Sequence, residues 1–100
     1  MNTLTNNIGA ISATHISITQ HSLTVELSDG RTITVPVSWY PRLLHATQKE
    51  RLNWRWIGIG KGIHWPDIDE DISVENLVLG KPSMESQESL KKWLDTRNNK

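Results

Sequence analysis

The sequence contains no cysteine and no phenylalanine, and each absence excludes something. Without cysteine the chain cannot form disulfides, bind zinc through thiolates or use a thiol nucleophile. Without phenylalanine the five tryptophans must supply nearly all of the aromatic bulk of a core. No stretch approaches the ~20 apolar residues that a membrane span requires, and residues 1–7 lack the basic start and apolar run of a signal peptide. We therefore expect a soluble, cytoplasmic protein without membrane contact.

The chain also lacks an excess of charge of either sign. Its 11 basic and 11 acidic residues give a formal net charge of zero. A protein that is held on phosphates needs a clustered cationic face, so the composition argues against direct DNA binding. The distribution is nonetheless uneven, because residues 66–75 are acidic and the C-terminal end is mainly basic. An acidic region and a basic region on one chain could orient a partner or favour self-association.

The length of 100 residues indicates one small domain. We divide the chain into a flexible N-terminal arm over residues 1–12, a single α+β domain over 13–83 and a C-terminal helical tail over 84–100.

Alternating apolar and polar residues after the N-terminal arm predict strands with one buried face. The Asp29-Gly30 dipeptide indicates a hairpin, and parity decides the length of its loop. A two-residue loop would pair Val25 with Thr34 and put the apolar residues of the two strands on opposite faces. A three-residue loop instead pairs Val25 with Ile33 and gives Gly30 the positive φ that such a loop requires. We therefore predict the three-residue loop.

The connection before these strands follows the same parity. Pairing through residues 19–22 sets Ile18 opposite Leu23 and Ile16 opposite Val25. The first part of the domain is therefore predicted to be a three-stranded antiparallel meander.

Two short helices are predicted after the meander. Ser38 can cap the first helix, which has Pro41 in its first turn, where a missing amide hydrogen costs nothing. Leu43 and Leu44 would then face the sheet. A capping box that begins at Thr47 predicts the second helix.

The second half of the chain predicts another hairpin and two more helices. Strands are expected over 54–57 and 63–65, joined by a glycine-rich turn, and a helix runs from Ser73 to Gly80. Residues 85–97 form the last helix. The fold class is therefore α+β: a small antiparallel β-meander packed with short helices, a second β-hairpin and a C-terminal helix.

The glycine-rich turn over 58–62 has some likeness to a phosphate-binding loop. That motif requires a hydroxyl residue after its lysine, and here Gly62 follows Lys61. A hairpin turn is the better interpretation.

The acidic run after this hairpin has some likeness to a calcium loop. Asp67, Asp69 and Asp71 alternate correctly, but Ile72 replaces the required glycine and Val78 replaces the glutamate. Acids that precede a helix also oppose the positive end of its dipole. We predict a loop that leads into the helix, with no metal site and no cofactor.

His64 and the tryptophans near it suggest two further functions. His64 with the neighbouring acids could carry out general acid-base chemistry, but no nucleophile or metal motif accompanies it, so we predict no catalytic residue. Trp54-Arg55-Trp56 interleaves a cation with two stacking platforms, as single-strand nucleic-acid binders do. A chain without phenylalanine needs both rings in its core, and we favour that use.

Several runs in combination resemble the DUF2442 family, a family of domains of unknown function. They are Leu27–Arg31, Val35–Leu43, Ala46-Thr47, Arg51–Asn53 and Gly62–Glu75, and the resemblance covers about residues 13–83. It implies a small bacterial α+β fold and brings no established activity. Some relatives carry a helix-turn-helix after this domain, whereas the segment after Ser83 is too short for one. The resemblance therefore implies no direct DNA binding here.

The family-like residues fall into two clusters at strand ends or corners, where loops often build sites. The candidate binding surface consists of Trp39, Tyr40, Arg42, His64, Trp65, Asp67, Asp69, Glu70 and Asp71. On the alternative interpretation, the aromatic residues pack in the core while the histidine and the acids hold loops in place.

The C-terminal helix carries a narrow apolar stripe of Leu90, Trp93 and Leu94. Short isolated helices are marginal in water, so this stripe must contact its own domain, a second copy or another protein. We expect a non-enzymatic protein-binding or regulatory module of a bacterial or mobile-element system, such as a toxin–antitoxin system. The alternatives are a nucleic-acid-associated regulator and, less favoured, a small hydrolase or metal-dependent enzyme that uses His64 and Asp67–Asp71.

Overall fold

The computed structural model describes residues 10–98, and these form two three-stranded antiparallel sheets and four short α-helices. The first sheet consists of β1 (Ala13–Ile18), β2 (Ser22–Leu27) and β3 (Thr32–Pro36), in that order. The second consists of β4 (Arg55–Ile57), β5 (Gly62–Trp65) and β6 (Glu70–Ser73), also in chain order. The helices are α1 (Pro41–Leu44), α2 (Gln48–Leu52), α3 (Val74–Leu79) and α4 (Gln87–Asn98). The α+β prediction is confirmed.

The first sheet has the predicted register. Val25 lies opposite Ile33 on one side and opposite Ile16 on the other. The loop between β2 and β3 has three residues, and Gly30 adopts a φ of 94°. The Leu27 amide donates to the carbonyl of Arg31 at 2.8 Å and closes this loop. The predicted register and the three-residue loop are therefore confirmed.

The chain leaves the first sheet differently from the prediction. A 3₁₀ turn occupies Val37–Trp39, so Ser38 lies inside a turn and caps no helix. Helix α1 starts with Pro41 at its first position, as expected, and Tyr40 is its N-cap without a side-chain bond. The amide of the buried Val37 donates to the His21 carbonyl at 2.8 Å. This bond holds Val37 beside the start of β2, so the chain turns away from the sheet only after it.

Only one of the two leucines in α1 faces the core. Leu43 is fully buried, whereas Leu44 is 44% exposed. Neighbouring helical residues point about 100° apart because a turn holds ~3.6 residues, so one short helix cannot bury both.

The end of the acidic run forms a strand where the whole run was predicted to be a loop. Glu70–Ser73 is β6, which pairs with β5 and sets Ile72 opposite Ile63. Asp69, with a φ of 52°, makes the turn that precedes this strand. The second sheet therefore has three strands and is more than a hairpin. Helix α3 follows directly, with Ser73 as its N-cap and the left-handed Gly80 as its C-cap, both as predicted.

One core cluster draws on both sheets and on α1 and α3. Trp65 is the tryptophan that is fully buried, while Trp39, Trp54, Trp56 and Trp93 are half-buried against the cluster. Trp54 precedes β4, and its ring meets that of Trp56 edge to face at 4.8 Å.

The predicted N-terminal arm lies mostly outside the described residues. In its described part, Ile11 belongs to the core and the Ser12 amide donates to Ser28 Oγ at 3.0 Å. Within residues 10–98, no helix is long and apolar enough to cross a membrane.

Candidate functional site

The aromatic members of the predicted surface are used mainly inside the domain. Trp65 is fully buried in β5, and its indole nitrogen donates to the Arg51 carbonyl at 2.9 Å. Tyr40 is buried, and Trp39 is half-buried against the core. Trp65 therefore has no face for a partner.

Arg42 holds the segment between α3 and α4 on the domain. Its guanidinium pairs with the Glu85 carboxylate at 2.8 Å and donates to the Ile68 carbonyl at 3.0 Å. Both side chains of the ion pair are largely buried, with 17% and 11% exposed. The hydrogen bond that Arg42 donates to the Glu85 carboxylate raises the pKa of Arg42, which is charged at every accessible pH. Arg42 is thus an internal anchor.

His64 and the acids around it form two separate local contacts. His64 Nδ1 is hydrogen-bonded to Asp71 Oδ1 across β5 and β6. Asp67 accepts a hydrogen bond from the side-chain amide of Asn53 at 2.9 Å and does not contact the His64–Asp71 pair. Among the described residues no group of three or more His, Asp or Glu side chains could hold a metal ion.

One part of the predicted surface surrounds a cavity of about 240 Å³. Its polar lining consists of Tyr40, Glu70, Asp71, Ser73, Asn76, Lys81 and Ser83. The buried hydroxyl of Tyr40 has no hydrogen-bond partner among the described residues. Burial, together with the nearby charge of Glu70, raises the pKa of Tyr40 to about 12. Burial also raises the pKa of the Glu70 carboxyl, so the cavity has a protonated phenol beside a poorly solvated acid.

Sequence reasoning missed the rest of this cavity. Asn76 and Lys81 come to it because α3 begins directly after β6 and ends at Gly80. The stop signal at Gly80 predicted where the helix ends, and no sequence feature placed Lys81 at this cavity.

A larger groove of about 610 Å³ was also missed, and it lies between the β1–β2 turn and helices α1 and α2. Its apolar lining is Ile18, Leu44, Ala46 and Leu52, and its polar lining is Thr19, Gln20, His21, Gln48 and Arg51. The signal was available in Leu44, since one of the two adjacent leucines in a short helix must point away from the core.

Arg51 fixes the walls of this groove. Its guanidinium donates to the carbonyls of Leu43 and Leu44 at 3.0 and 3.2 Å, and to those of Thr19 and Gln20 at 3.1 and 3.2 Å. One side chain therefore joins α1 and α2 to the β1–β2 turn.

Helix α4 lies on its own domain. The guanidinium of Arg97 stacks on the Trp93 ring at 4.6 Å from its centroid, and Arg42 approaches the same ring at 5.2 Å. Arg97 also pairs with Glu50 at 2.8 Å. The predicted stripe of Leu90, Trp93 and Leu94 is partly buried as a result.

These features define a small α+β domain whose two three-stranded sheets share one core and carry a C-terminal helix. The chain belongs to the family described as "Protein of unknown function (DUF2442)", whose model matches residues 11–83. Helix α4 lies beyond the matched residues.

One solved structure shares the fold. It is the crystal structure of a protein of unknown function from Rhodospirillum rubrum, with a TM-score of 0.64 and 23% sequence identity over 77% of this chain and 95% of that chain. At this identity the likeness shows the fold alone. No curated protein matches the chain.

Proposed function

We propose that this chain is a non-enzymatic protein-binding module that holds an apolar, acid-flanked segment of a partner protein in the groove between the β1–β2 turn and α1–α2. Its setting would be the cytoplasm of a bacterium, in a regulatory or mobile-element system such as a toxin–antitoxin system. The observation that carries this proposal is an exposed apolar groove with a rigid polar frame.

The apolar surface of the groove is substantial for so small a domain. Leu44 and Leu52 expose 44% and 66% of their surface. Contiguous exposed apolar surface with a polar rim is typical of protein-interaction sites. Burying the two leucines in a partner contact would supply the main favourable term.

The frame of the groove is preorganised. Arg51 already bonds four backbone carbonyls from both sides, so the walls need little ordering when a partner binds. Preorganisation lowers the entropic cost of association.

The charge of the groove indicates the chemistry of its partner. The lining contains Arg51 and His21 and no acidic residue. Complementary charge guides encounter and register, so the partner segment should combine two apolar side chains with a neighbouring carboxylate.

A non-enzymatic role is supported by the state of the candidate acid-base residue. His64 is hydrogen-bonded to Asp71 in a cross-strand pair. This contact gives His64 a role in joining β5 to β6 that requires no catalysis.

The test is selection of a peptide-display library on the purified protein. Leu52→Asp is the disabling variant, since Leu52 is exposed enough for the domain to fold with it changed. Ile59→Asp is the matched control, because Ile59 is 89% exposed and does not line the groove. We expect peptides with apolar and acidic residues that bind the wild type and the control, and that bind Leu52→Asp at least about 10-fold more weakly, equivalent to ~1.4 kcal/mol.

Two outcomes would overturn the proposal. Peptides that bind Leu52→Asp as tightly as the wild type would place binding elsewhere. Failure of any peptide to be enriched would show that the groove is not a binding site for such segments.

A further inference from the structure

The last turn of α4 holds the link between the two helices that border the groove. The Arg97 guanidinium donates to both carboxylate oxygens of Glu50, at 3.0 and 2.8 Å, and to the carbonyl of His45 at 3.4 Å. His45 is the C-cap of α1, and Glu50 belongs to the first turn of α2. A single side chain of α4 therefore bonds the end of α1 and the start of α2.

The link that Arg97 holds is also a wall of the groove. Ala46 and Gln48, which flank the Thr47 cap of α2, line the groove, whereas Arg97 does not. Arg51 bonds the same wall to the β1–β2 turn. The wall is thus fixed at two places, by Arg51 within the domain and by Arg97 from α4. Because Arg97 does not line the groove, its effect on a bound segment would act through this wall.

Helix α4 is attached less firmly than the rest of the fold. Among its described side chains, residues 87–97, none is fully buried, and Trp93 is half-buried. Ion pairs of Glu85 and Arg97 with the domain anchor the two ends of the segment. Elements with few buried apolar contacts open at a lower free energy than that of unfolding the whole domain. Helix α4 can therefore leave the domain while the two sheets stay folded.

We propose that α4 regulates the groove by coupling its own docking to the binding of a partner segment. Docked α4 holds the α1–α2 link in place, so the groove keeps its binding geometry, and release of α4 loosens one wall and weakens binding. Coupling of this kind is reciprocal, so a segment bound in the groove also favours the docked state of α4. The regulation rests on the function proposed for the groove, whereas the hold of α4 on the link does not.

Hydrogen exchange of backbone amides in the full chain measures the hold of α4 on the link without any ligand. Arg97→Gln removes the bidentate ion pair, and Lys92→Gln is the matched control, because Lys92 pairs with Glu88 on the exposed face of α4 itself. We expect residues 45–52 to exchange at least about 5-fold faster in Arg97→Gln than in the wild type and the control. This increase should exceed that in β2, whereas a purely global loss of stability would accelerate β2 the most.

Binding of the peptides selected on the groove measures the coupling. We expect Arg97→Gln to bind them at least about 5-fold more weakly than the wild type, and Lys92→Gln to bind them equally well. In the wild type, a saturating peptide should also slow the exchange of the α4 amides. The same peptide should slow them less in Arg97→Gln, since the bond that transmits the effect is absent.

The outcomes separate this proposal from the one on which it rests. Equal exchange of residues 45–52 in the wild type and Arg97→Gln would overturn the hold of α4 on the link, whatever binds in the groove. Faster exchange with unchanged peptide affinity would overturn the coupling and leave the groove as a binding site. If no peptide were enriched, the proposed function and its regulation would both fail, and the exchange rates would still decide whether α4 holds the link.

Discussion

At the residue scale, two glycines with positive φ show how the same backbone requirement can have different consequences. Gly30 has a φ of 94°, and a Cβ built there would meet no atom within 4 Å. Gly60 has a φ of 67°, but its Cβ would lie 2.3 Å from the Ala13 carbonyl oxygen. The Ala13 amide donates to the Gly60 carbonyl at 2.7 Å, so this close approach joins the turn of the second sheet to the first sheet.

We predict that Gly30→Ala and Gly60→Ala differ clearly in stability. Gly30→Ala should cost about 1 kcal/mol, the strain of a left-handed alanine. Gly60→Ala should cost at least about 3 kcal/mol. The alanine would have the same backbone strain, and its Cβ would also clash with the Ala13 backbone and push the two sheets apart. Urea unfolding of both variants measures this difference. Equal costs would show that the contact with Ala13 contributes nothing.

Residues that act through local geometry were predictable, and those that act at long range were not. Gly30, Gly80 and Thr47 occupy turns or caps whose chemistry depends on their immediate neighbours in sequence. Arg42 instead pairs with Glu85, which is 43 positions away. With 11 basic and 11 acidic residues in the chain, composition gives no means of choosing that pair.

At the element scale, sequence patterns failed where an element was too short to have a period. β6 has four residues, of which Ile72 is the one that is buried, and pairing with β5 decides its conformation. The turn before α1 is a similar case, because tertiary bonding of Val37 overrides the capping preference of Ser38. The cavity and the groove could not be predicted from the sequence for the same reason. Both the cavity and the groove are formed between such short elements.

The capping box of α2 leads to a pH-dependent prediction. The hydrogen bond from Arg97, with that from the Thr47 amide, lowers the pKa of Glu50 from 4.5 to about 2 against the effect of burial. The unfolded chain therefore binds a proton before the folded chain does as the pH falls. The stability that Glu50 contributes is complete above pH 4.5 and is lost as the pH falls from there towards 2.

We predict that Glu50→Gln lowers the free energy of unfolding by about 1–2 kcal/mol at neutral pH, after allowance for solvent screening. The variant should also flatten the pH dependence between 4.5 and 2. Glu88→Gln is the matched control, since Glu88 pairs with Lys92 on the exposed face of α4 and should change stability little. Chemical denaturation across this pH range gives both quantities. An unchanged pH profile in Glu50→Gln would contradict the assignment.

At the scale of the whole molecule, α4 is an addition that the family domain holds through its own residues. The family match ends at residue 83 and α4 begins at Gln87. Arg42 anchors the segment before the helix through Glu85, and Glu50 anchors the last turn through Arg97. Trp93 lies between these two anchors under both guanidinium groups. The apolar stripe is thereby covered in part by the chain's own domain.

Deletion of residues 85–100 tests whether this helix belongs to the folded unit. The deletion removes the half-buried Trp93 and leaves Arg42 and Glu50 without their partners, and an unpaired, partly buried charge is costly. We expect the free energy of unfolding to fall by about 2–3 kcal/mol, less than the 3–5 of a fully buried tryptophan. That loss corresponds to a melting temperature lower by about 10–20 °C in a domain of this size. Trp93→Ala in the full chain should reproduce part of it and serves as the matched variant.

The mass of the protein in solution shows whether the apolar stripe contacts only its own domain or also a second copy of the chain. Because the stripe lies against its own domain, we expect truncation to lower the melting temperature while the mass changes only by the deleted residues. A truncated protein of half the oligomeric mass would show instead that α4 also holds a second copy, the homodimer that the sequence suggested. If neither the melting temperature nor the oligomeric state changed, the contacts of Trp93 and Arg97 would contribute nothing, and α4 would be an appendage of the domain rather than part of its fold.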